Sequence, residues 1–349
     1  MCKEFLVSKD SIYKLLNHLS KERTLVMPVG TGKVIEYRET AVSDIEGSGI
    51  DLPDNCISYK SIKEYYFPQT ELMFTFDGDN ITDKASISGN VIFGARPCDL
   101  EALRIMSIVY TTGKYADPFF QRRLDANFLI GVGCKAKKHG CFCQKLGIDM
   151  EYSDFCDIML DISDDGCIIT HLSDKARLAL SDFPEVSSFN SNKQKKATQE
   201  NRPQVCSENP PPRRDCPLPS LGLDIEKEDA YYFDVIDWEK ATEACKGCGI
   251  CTYICPTCYC FNFKDISKKD GAKRYKCWDS CMYPKFTLHA SGHNPRENLY
   301  ERYRQRVLHK YKYVADNFDG IVACTGCGRC IRSCRAGINI ADIVQQIAE

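Results

Sequence analysis

Apolar residues recur at helical spacing near the start of the chain. Ile12, Leu15, Leu16 and Leu19 are three or four positions apart, with polar residues between them. This spacing predicts an amphipathic helix over residues 8–19.

Two uninterrupted apolar runs further along predict buried strands. They cover residues 91–95 and 128–132, and residues 99–109 between them place apolar side chains on one helical face. A strand, a helix and a second strand of these lengths form a right-handed βαβ unit with parallel strands. We therefore expect residues 1–185 to form an α/β domain.

The pattern changes after residue 185. Residues 186–221 are rich in Asn, Gln, Ser and Pro and contain few large apolar residues, so they bury too little surface to offset their ordering entropy. We interpret them as a linker, and residues 222–349 as a mainly helical domain. The fold class expected for the whole chain is α+β.

A basic helix is expected within the second domain. It begins at Pro295 with Asn294 as its N-cap and runs for about six turns. Its cationic residues form either a solvated face or a surface for an acidic partner or for the negative charge of a metal cluster. These residues are Arg302, Arg304, Arg306, His309, Lys310 and Lys312.

Cysteine is the compositional feature that changes this picture. The 349 residues include 22 Cys, yet the N-terminus has no apolar signal-peptide core and no run is long enough for a membrane span. We expect a cytoplasmic protein, where dense cysteines are metal ligands or redox thiols. The formal net charge of −2 argues against a nucleic-acid partner.

Two cysteine runs carry the clearest chemistry. The first has the C-x2-C-x2-C-x3-C-P spacing of bacterial ferredoxins, which binds [4Fe-4S] clusters, and the second repeats it with Arg335 in place of the proline. Their cysteines are Cys245, Cys248, Cys251 and Cys255, and Cys324, Cys327, Cys330 and Cys334.

In two-cluster ferredoxins the fourth cysteine of each run binds the other cluster. Crossed ligation therefore predicts one cluster on Cys245, Cys248, Cys251 and Cys334, and a second on Cys324, Cys327, Cys330 and Cys255. The alternative, a pair of four-cysteine zinc sites, more naturally uses separated C-x2-C pairs. The 68 residues between the runs indicate a helical ferredoxin domain, because a compact bacterial ferredoxin has fewer.

A second group of cysteines follows the predicted parallel strands. Cys98 comes after the first strand and Cys134 after the second, with Cys141 and Cys143 in the loop beyond. Parallel strands end at the same edge of a sheet, where open α/β sheets bind ligands. Chain geometry thus allows a third [4Fe-4S] cluster, although buried cysteines also serve as small hydrophobic residues.

Further cysteines lie just after the first ferredoxin run. Cys258, Cys260 and Cys281, together with Cys277, would suffice for another metal site. The remaining cysteines have no metal-binding spacing and are expected to be structural or ordinary thiols: Cys2, Cys56, Cys156, Cys167, Cys206 and Cys216. No dinucleotide or phosphate-loop fingerprint is present in the sequence.

These motifs occur in an order that resembles a known family. They are RPCDLEAL at 96–103, GCKAKKHGCFC at 133–143, CKGCGICTYICPTCYCF at 245–261, CWDSCM at 277–282, SGHNPR at 291–296 and CTGCGRC at 324–330. The chain resembles the A subunit of anaerobic sulfite reductase and the iron–sulfur beta subunit of cytosolic sulfhydrogenase-type nickel–iron hydrogenases. The family pattern covers both ferredoxin runs, the four strand-edge cysteines, Cys258, Cys260 and Cys281, whereas Cys277 stands where another residue is expected.

The resemblance implies an electron-transfer subunit with no substrate chemistry of its own. Its implied partners are a flavin-containing NAD(P)H or ferredoxin oxidoreductase subunit and a catalytic subunit with sirohaem or nickel–iron. The principal hypothesis is the relay subunit of an anaerobic sulfite reductase, and the alternative is a hydrogenase beta subunit. An enzyme that acts on a substrate at the strand edge near Cys98 and Cys134 is the alternative from another class.

Overall fold

A computed structural model of the chain describes residues 4–31, 34–44, 57–85, 87–163, 166–171, 173–181, 183, 223–224, 226–269 and 271–348. The predicted linker at 186–221 and four of the isolated cysteines, Cys2, Cys56, Cys206 and Cys216, lie outside the described residues.

A mixed sheet of seven strands, counted within the described residues, forms the centre of the N-terminal part. Its spatial order is β1-β9-β8-β7-β6-β2-β3, in which β2, β6, β7 and β8 are parallel neighbours and the outer strands are antiparallel. The strands are β1 (Glu4–Val7), β2 (Thr24–Thr31), β3 (Val34–Glu39), β6 (Asn90–Ala95), β7 (Phe128–Val132), β8 (Ile158–Ser163) and β9 (Gly166–His171).

Helices cover both faces of this sheet. Val91 and Phe93 pack in one core with α1 (Lys9–Leu19) and α4 (Asp174–Ser181), while Ile92 and Ala95 pack in another with α2 (Pro97–Thr111) and α3 (Pro118–Ala126). Because both faces are buried, the strands read as continuous apolar runs. The predicted amphipathic helix and the predicted βαβ unit are confirmed, with Ser8 as the N-cap of α1.

A second sheet joins the two parts of the chain. Its order is β10-β11-β4-β5, all antiparallel, and it consists of β4 (Thr70–Asp77), β5 (Asn80–Asp83), β10 (Phe261–Lys268) and β11 (Gly271–Trp278). The β4–β11 pairing connects residues on either side of the predicted linker. The β10–β11 hairpin was not expected from the sequence, because β10 is exposed along most of its length and lacks a clear apolar face.

Short helices surround the two ferredoxin runs. They are α5 (Tyr231–Asp234), α6 (Trp238–Thr242), α7 (Ile250–Tyr253), α8 (Leu299–Leu308), α9 (Val314–Asn317), α10 (Arg329–Ser333) and α11 (Ile340–Ala348). A π-helical turn over His309–Tyr313 connects α8 to α9. Tyr303, Val307 and Tyr311 of this long helical segment pack with Val344 of α11 in a separate core. The chain is thus an α+β protein.

The basic helix begins later than its sequence indicates. Asn298 is the N-cap, in a capping box with Glu301, and the expected cap Asn294 lies in the preceding loop. The Asn294 side chain instead accepts a hydrogen bond from the Thr287 hydroxyl at 2.7 Å and donates one to the Pro284 carbonyl oxygen at 2.7 Å. Because the Asn294 side chain makes these hydrogen bonds within the loop, it does not cap the helix.

Candidate iron–sulfur sites

The first cysteine cavity opens on the surface of the C-terminal part. Its lining includes Cys245, Cys248 and Cys251 of the first run and Cys334 of the second, and Cys248 is exposed. These are the four thiols that crossed ligation assigns to one cluster. We call this space the first cavity.

A second cavity lies deeper in the protein. Its lining includes Cys324, Cys327 and Cys330 together with Cys255, the last cysteine of the other run. The fold therefore brings together the second predicted ligand set, with Cys255 and Cys327 buried. We call this space the central cavity.

A third cavity lies at the carboxyl edge of the parallel strands. It is lined by the four cysteines expected there, with Cys98 at the start of α2, Cys134 just after β7, and Cys141 and Cys143 in the following loop. The four thiols of this third cavity come from three separate positions along the chain. Cys327 of the central cavity also lines it.

Backbone contacts hold the third cavity against the central one. The Phe142 N–H donates to the Gly326 carbonyl oxygen at 2.8 Å, and the Cys141 thiol donates to the Cys327 carbonyl oxygen at 3.4 Å. A Cβ on Gly326, which has φ +59°, would lie 2.5 Å from the Cys143 nitrogen. Glycine is required at this position because both its backbone conformation and the close approach exclude a side chain.

The three cavities form a row. Cys330 lines the first and the central cavity, and Cys327 lines the central and the third. The central cavity is therefore the neighbour of both others, and each adjacent pair shares a cysteine in its lining.

The donor chemistry of the central cavity fits an anionic iron–sulfur cluster. Arg306 and Lys310 line it and are 2% and 3% exposed, so both cations are withdrawn from water. The Arg306 Nε and the Thr325 Oγ1 are buried without a hydrogen-bond partner in the described part of the chain. Buried cations and unpaired donors are costly unless a negative group faces them.

Burial also determines the state of the free thiols. It raises the pKa of Cys134 and of Cys327 to about 11 and that of Cys330 to about 12. Iron coordination requires thiolates, so binding of a cluster releases these protons. Among the described residues, no group of three or more His, Cys, Asp or Glu side chains has an arrangement that could hold a single metal ion.

Comparisons with known proteins agree with this geometry. Residues 244–338 match the model of a 4Fe-4S dicluster domain. The chain is 29% identical over 320 residues to sulfhydrogenase 2 subunit beta of Pyrococcus furiosus, covering 90% of this chain and 89% of that relative. The chain is thus similar to a sulfhydrogenase-type beta subunit. It is an iron–sulfur electron-transfer subunit, and no solved structure matches it.

The basic helix does not form the solvated face that was one of its two interpretations. Arg302, Arg306, Lys310 and Lys312 are all buried. Lys312 pairs with Asp316, and Arg302 donates to backbone carbonyl oxygens. Arg306 and Lys310 face cysteines, as the interpretation of a surface for a cluster's negative charge expects.

The further cysteines after the first ferredoxin run form two thiol contacts. Cys258 is hydrogen-bonded to Cys255 of the central cavity, and Cys260 to Cys281. The hydrogen bond from Cys281 lowers the pKa of Cys260 to about 7. Metal binding by these three cysteines stays a prediction. Cys277 lies in β11 opposite Asn262.

Sequence reasoning missed an ion pair that links the central and third cavities. Arg329, inside the second ferredoxin run, donates to both carboxylate oxygens of Asp99 at 2.7 and 2.8 Å. Asp99 directly follows Cys98. In the sequence, the signal is limited to one cation and one anion, each next to a cysteine. Charged residues in such positions are usually solvated, so the sequence does not predict that they meet.

In the part of the chain that the structure describes, no helix is long and apolar enough to cross a membrane.

Proposed function

We propose that this chain is a three-site electron relay in a hydrogenase-type complex. The observation that carries the proposal is the row of cysteine cavities, in which Cys330 and Cys327 each line two neighbours. A [4Fe-4S] cluster supplies one-electron transfer without breaking a bond. The protein's part is to hold such groups in sequence and to shield the middle one from water.

The two ends of the row differ from its centre in exposure. Cys248 of the first cavity is exposed, and the third cavity is bordered by the exposed residues Ala136 and Lys137. The central cavity is lined by two buried cations and by four cysteines, of which Cys255 and Cys327 are buried. This arrangement supports entry of electrons at one end and exit at the other.

The partners proposed for the two ends are a flavin-containing NAD(P)H or ferredoxin oxidoreductase subunit and a nickel–iron catalytic subunit. The named relative is a sulfhydrogenase subunit, which favours the hydrogenase alternative over the sulfite reductase that the sequence first indicated. The sirohaem partner is set aside for the same reason.

A thiol enzyme at the strand edge is less well supported. Cys98 is 5% exposed, and burial raises its pKa well above the ordinary value and that of Cys134 to about 11. A reactive cysteine needs a lowered pKa and access to its substrate. Neither thiol has a lowered pKa, and Cys98 is also buried, which fits ligands better than nucleophiles.

Iron and sulfide analysis of the anaerobically purified chain tests the relay. Three clusters predict about twelve irons per chain, and Cys141→Ala is expected to reduce the count to about eight. Cys156→Ala is the matched control, because Cys156 donates to the Ser153 carbonyl oxygen at 3.6 Å and lines none of the three cavities. About eight irons in the unaltered chain would contradict the third site, and a colourless protein would contradict the relay itself.

The partner assignment needs a separate measurement. The complex purified with its partners should reduce a low-potential dye with hydrogen as the electron donor, and Cys141→Ala should slow this reaction. Reduction of sulfite in place of hydrogen oxidation would return the chain to the sulfite reductase hypothesis.

A further inference from the structure

Two buried cations of the central cavity have no carboxylate partner in the described part of the chain. The Arg306 Nη2 donates to the Cys251 carbonyl oxygen at 3.2 Å, and the Lys310 Nζ donates to the Thr257 hydroxyl at 2.8 Å and to the Ala323 carbonyl oxygen at 3.2 Å. All of these acceptors are neutral, so both positive charges stay uncompensated by the protein.

Some other buried cations have a carboxylate partner, whereas Lys63 and Arg302 donate to backbone carbonyl oxygens. Arg123 and Lys276 pair with Glu71 at 2.6 and 3.1 Å, and Arg329 pairs with Asp99. Burying an unpaired charge costs several kcal/mol in typical proteins. A fold that keeps two of them beside four cysteines therefore stabilises negative charge at that point.

The geometry of Arg306 directs its charge inward. Its Nε, buried and without a partner among the described residues, belongs to a side chain that lines the central cavity, as does the unpartnered Oγ1 of Thr325. Arg306 is also close to thiols of two cavities, Cys251 of the first and Cys330 of the central one. Its guanidinium stays charged at any ordinary pH.

The outer cavities have weaker electrostatics. Lys246 and Arg335 at the first cavity are exposed, so water and salt screen them. The third cavity is lined by Lys137 and Asp149, both exposed and of opposite sign, and by the half-buried Lys138. Among the charged residues that line the three cavities, only those of the central cavity are both buried and of a single sign. The buried Arg96 lies close to Cys134 but does not line the third cavity.

We propose that Arg306 and Lys310 raise the reduction potential of the central site above those of its two neighbours, so that the first electron to enter the relay resides there. Reduction adds one electron and one unit of negative charge, with no bond formed or broken. A buried cation stabilises that added charge far more than an exposed one does. The inference rests on the proposed relay and adds an order of filling to it.

Redox titration of the whole chain with dithionite, followed by electron paramagnetic resonance, tests this inference. The signal of the central site is identified as the one altered in Cys324→Ser. Arg306→Gln and Lys310→Gln should each lower the equilibrium constant for reduction of that site about tenfold, a fall of about 59 mV. Arg306→Lys should retain the potential of the unaltered protein.

Lys312→Gln provides the matched control. Lys312 is buried on the same helical segment but pairs with Asp316 at 2.8 Å, so its removal should leave the central potential unchanged. Iron content is measured for every variant. If one neutral variant loses the central iron, the other decides the question.

Three results would overturn the inference. The first is an unchanged potential of the central site in both neutral variants at full iron content. The second is a central site that is reduced last in the unaltered chain. The third is loss of the central iron in both neutral variants, which would make the role of the two cations structural. A count below about twelve irons in the unaltered chain bears instead on the relay proposal, so the two failures are distinguishable.

Discussion

Replacing Arg329 by Met would leave Asp99 as an unpaired charge between the central and third cavities. Both side chains of the pair are 1% exposed, and the guanidinium also donates to the Ser58 carbonyl oxygen at 2.9 Å and hydroxyl at 3.1 Å. Removing one partner of a buried ion pair costs about 3–5 kcal/mol. That is a large part of the roughly 5–15 kcal/mol that holds a typical domain folded.

The double variant Arg329→Met with Asp99→Asn separates two sources of this loss. It removes both charges, so no unpaired ion stays buried, and we expect it to be clearly more stable than Arg329→Met alone. The free energy of unfolding would be obtained from urea titration of the cluster-loaded chain without oxygen, followed by far-ultraviolet circular dichroism.

An exposed ion pair with the same geometry serves as the control. Arg274 donates to both carboxylate oxygens of Asp265 at 2.8 and 2.7 Å, but the two side chains are 42% and 51% exposed. Because water screens such a pair, Arg274→Met should change stability little. Equal losses for Arg329→Met and Arg274→Met, or a double variant no more stable than Arg329→Met, would refute the argument from burial.

Three further predictions follow from the geometry of the sites. Cys334→Ala should remove iron from the first cavity and leave the central cavity loaded, as shown by iron counts and the change in resonance signals; loss from the central cavity alone would contradict crossed ligation. Gly326→Ala should displace the loop of the third cavity and lower the iron count by about four. Gly337→Ala is the control and should leave the iron count unchanged, because Gly337 has a similar φ of +70° but a Cβ there would have no atom within 4 Å. Burial lowers the pKa of His309 to about 4, so the folded protein loses stability as the pH falls from about 6.5 toward 4. His309→Gln should reduce the loss of unfolding free energy between pH 7.5 and 5.5 by about 1 kcal/mol, as measured by urea titration. An identical loss in both proteins would argue against a buried neutral histidine.

Elements with a strong local signal were predictable. The strand at Phe128–Val132 has the bounds that its apolar run indicates, and the helix Lys9–Leu19 begins within one residue of the start that its apolar spacing predicts. The predicted start of the basic helix was wrong by several residues. Both Asn294 and Asn298 are suitable N-cap residues, and only the packing of the preceding loop selects between them.

The cysteine sites, too, were predictable in part from local sequence and in part only from the fold. Spacing alone identified the two ferredoxin runs, since four thiols within eleven residues have few other uses, and it placed Cys98 and Cys134 at one edge of a sheet. It left open whether the basic helix meets solvent or a cluster. That depended on the rotation of the helix, which buries Arg306 and Lys310 against residues far away in sequence.

The sequence by itself determined the kinds of ligand and their grouping, because thiol spacing along a short loop fixes which cysteines can share a site. Only the tertiary structure decided that the groups form a row through Cys330 and Cys327, that Arg329 reaches Asp99, and that two buried cations face the central cavity. These facts concern distances between separate segments. Such distances are set by the packing of helices and sheets, which no local pattern along the chain contains.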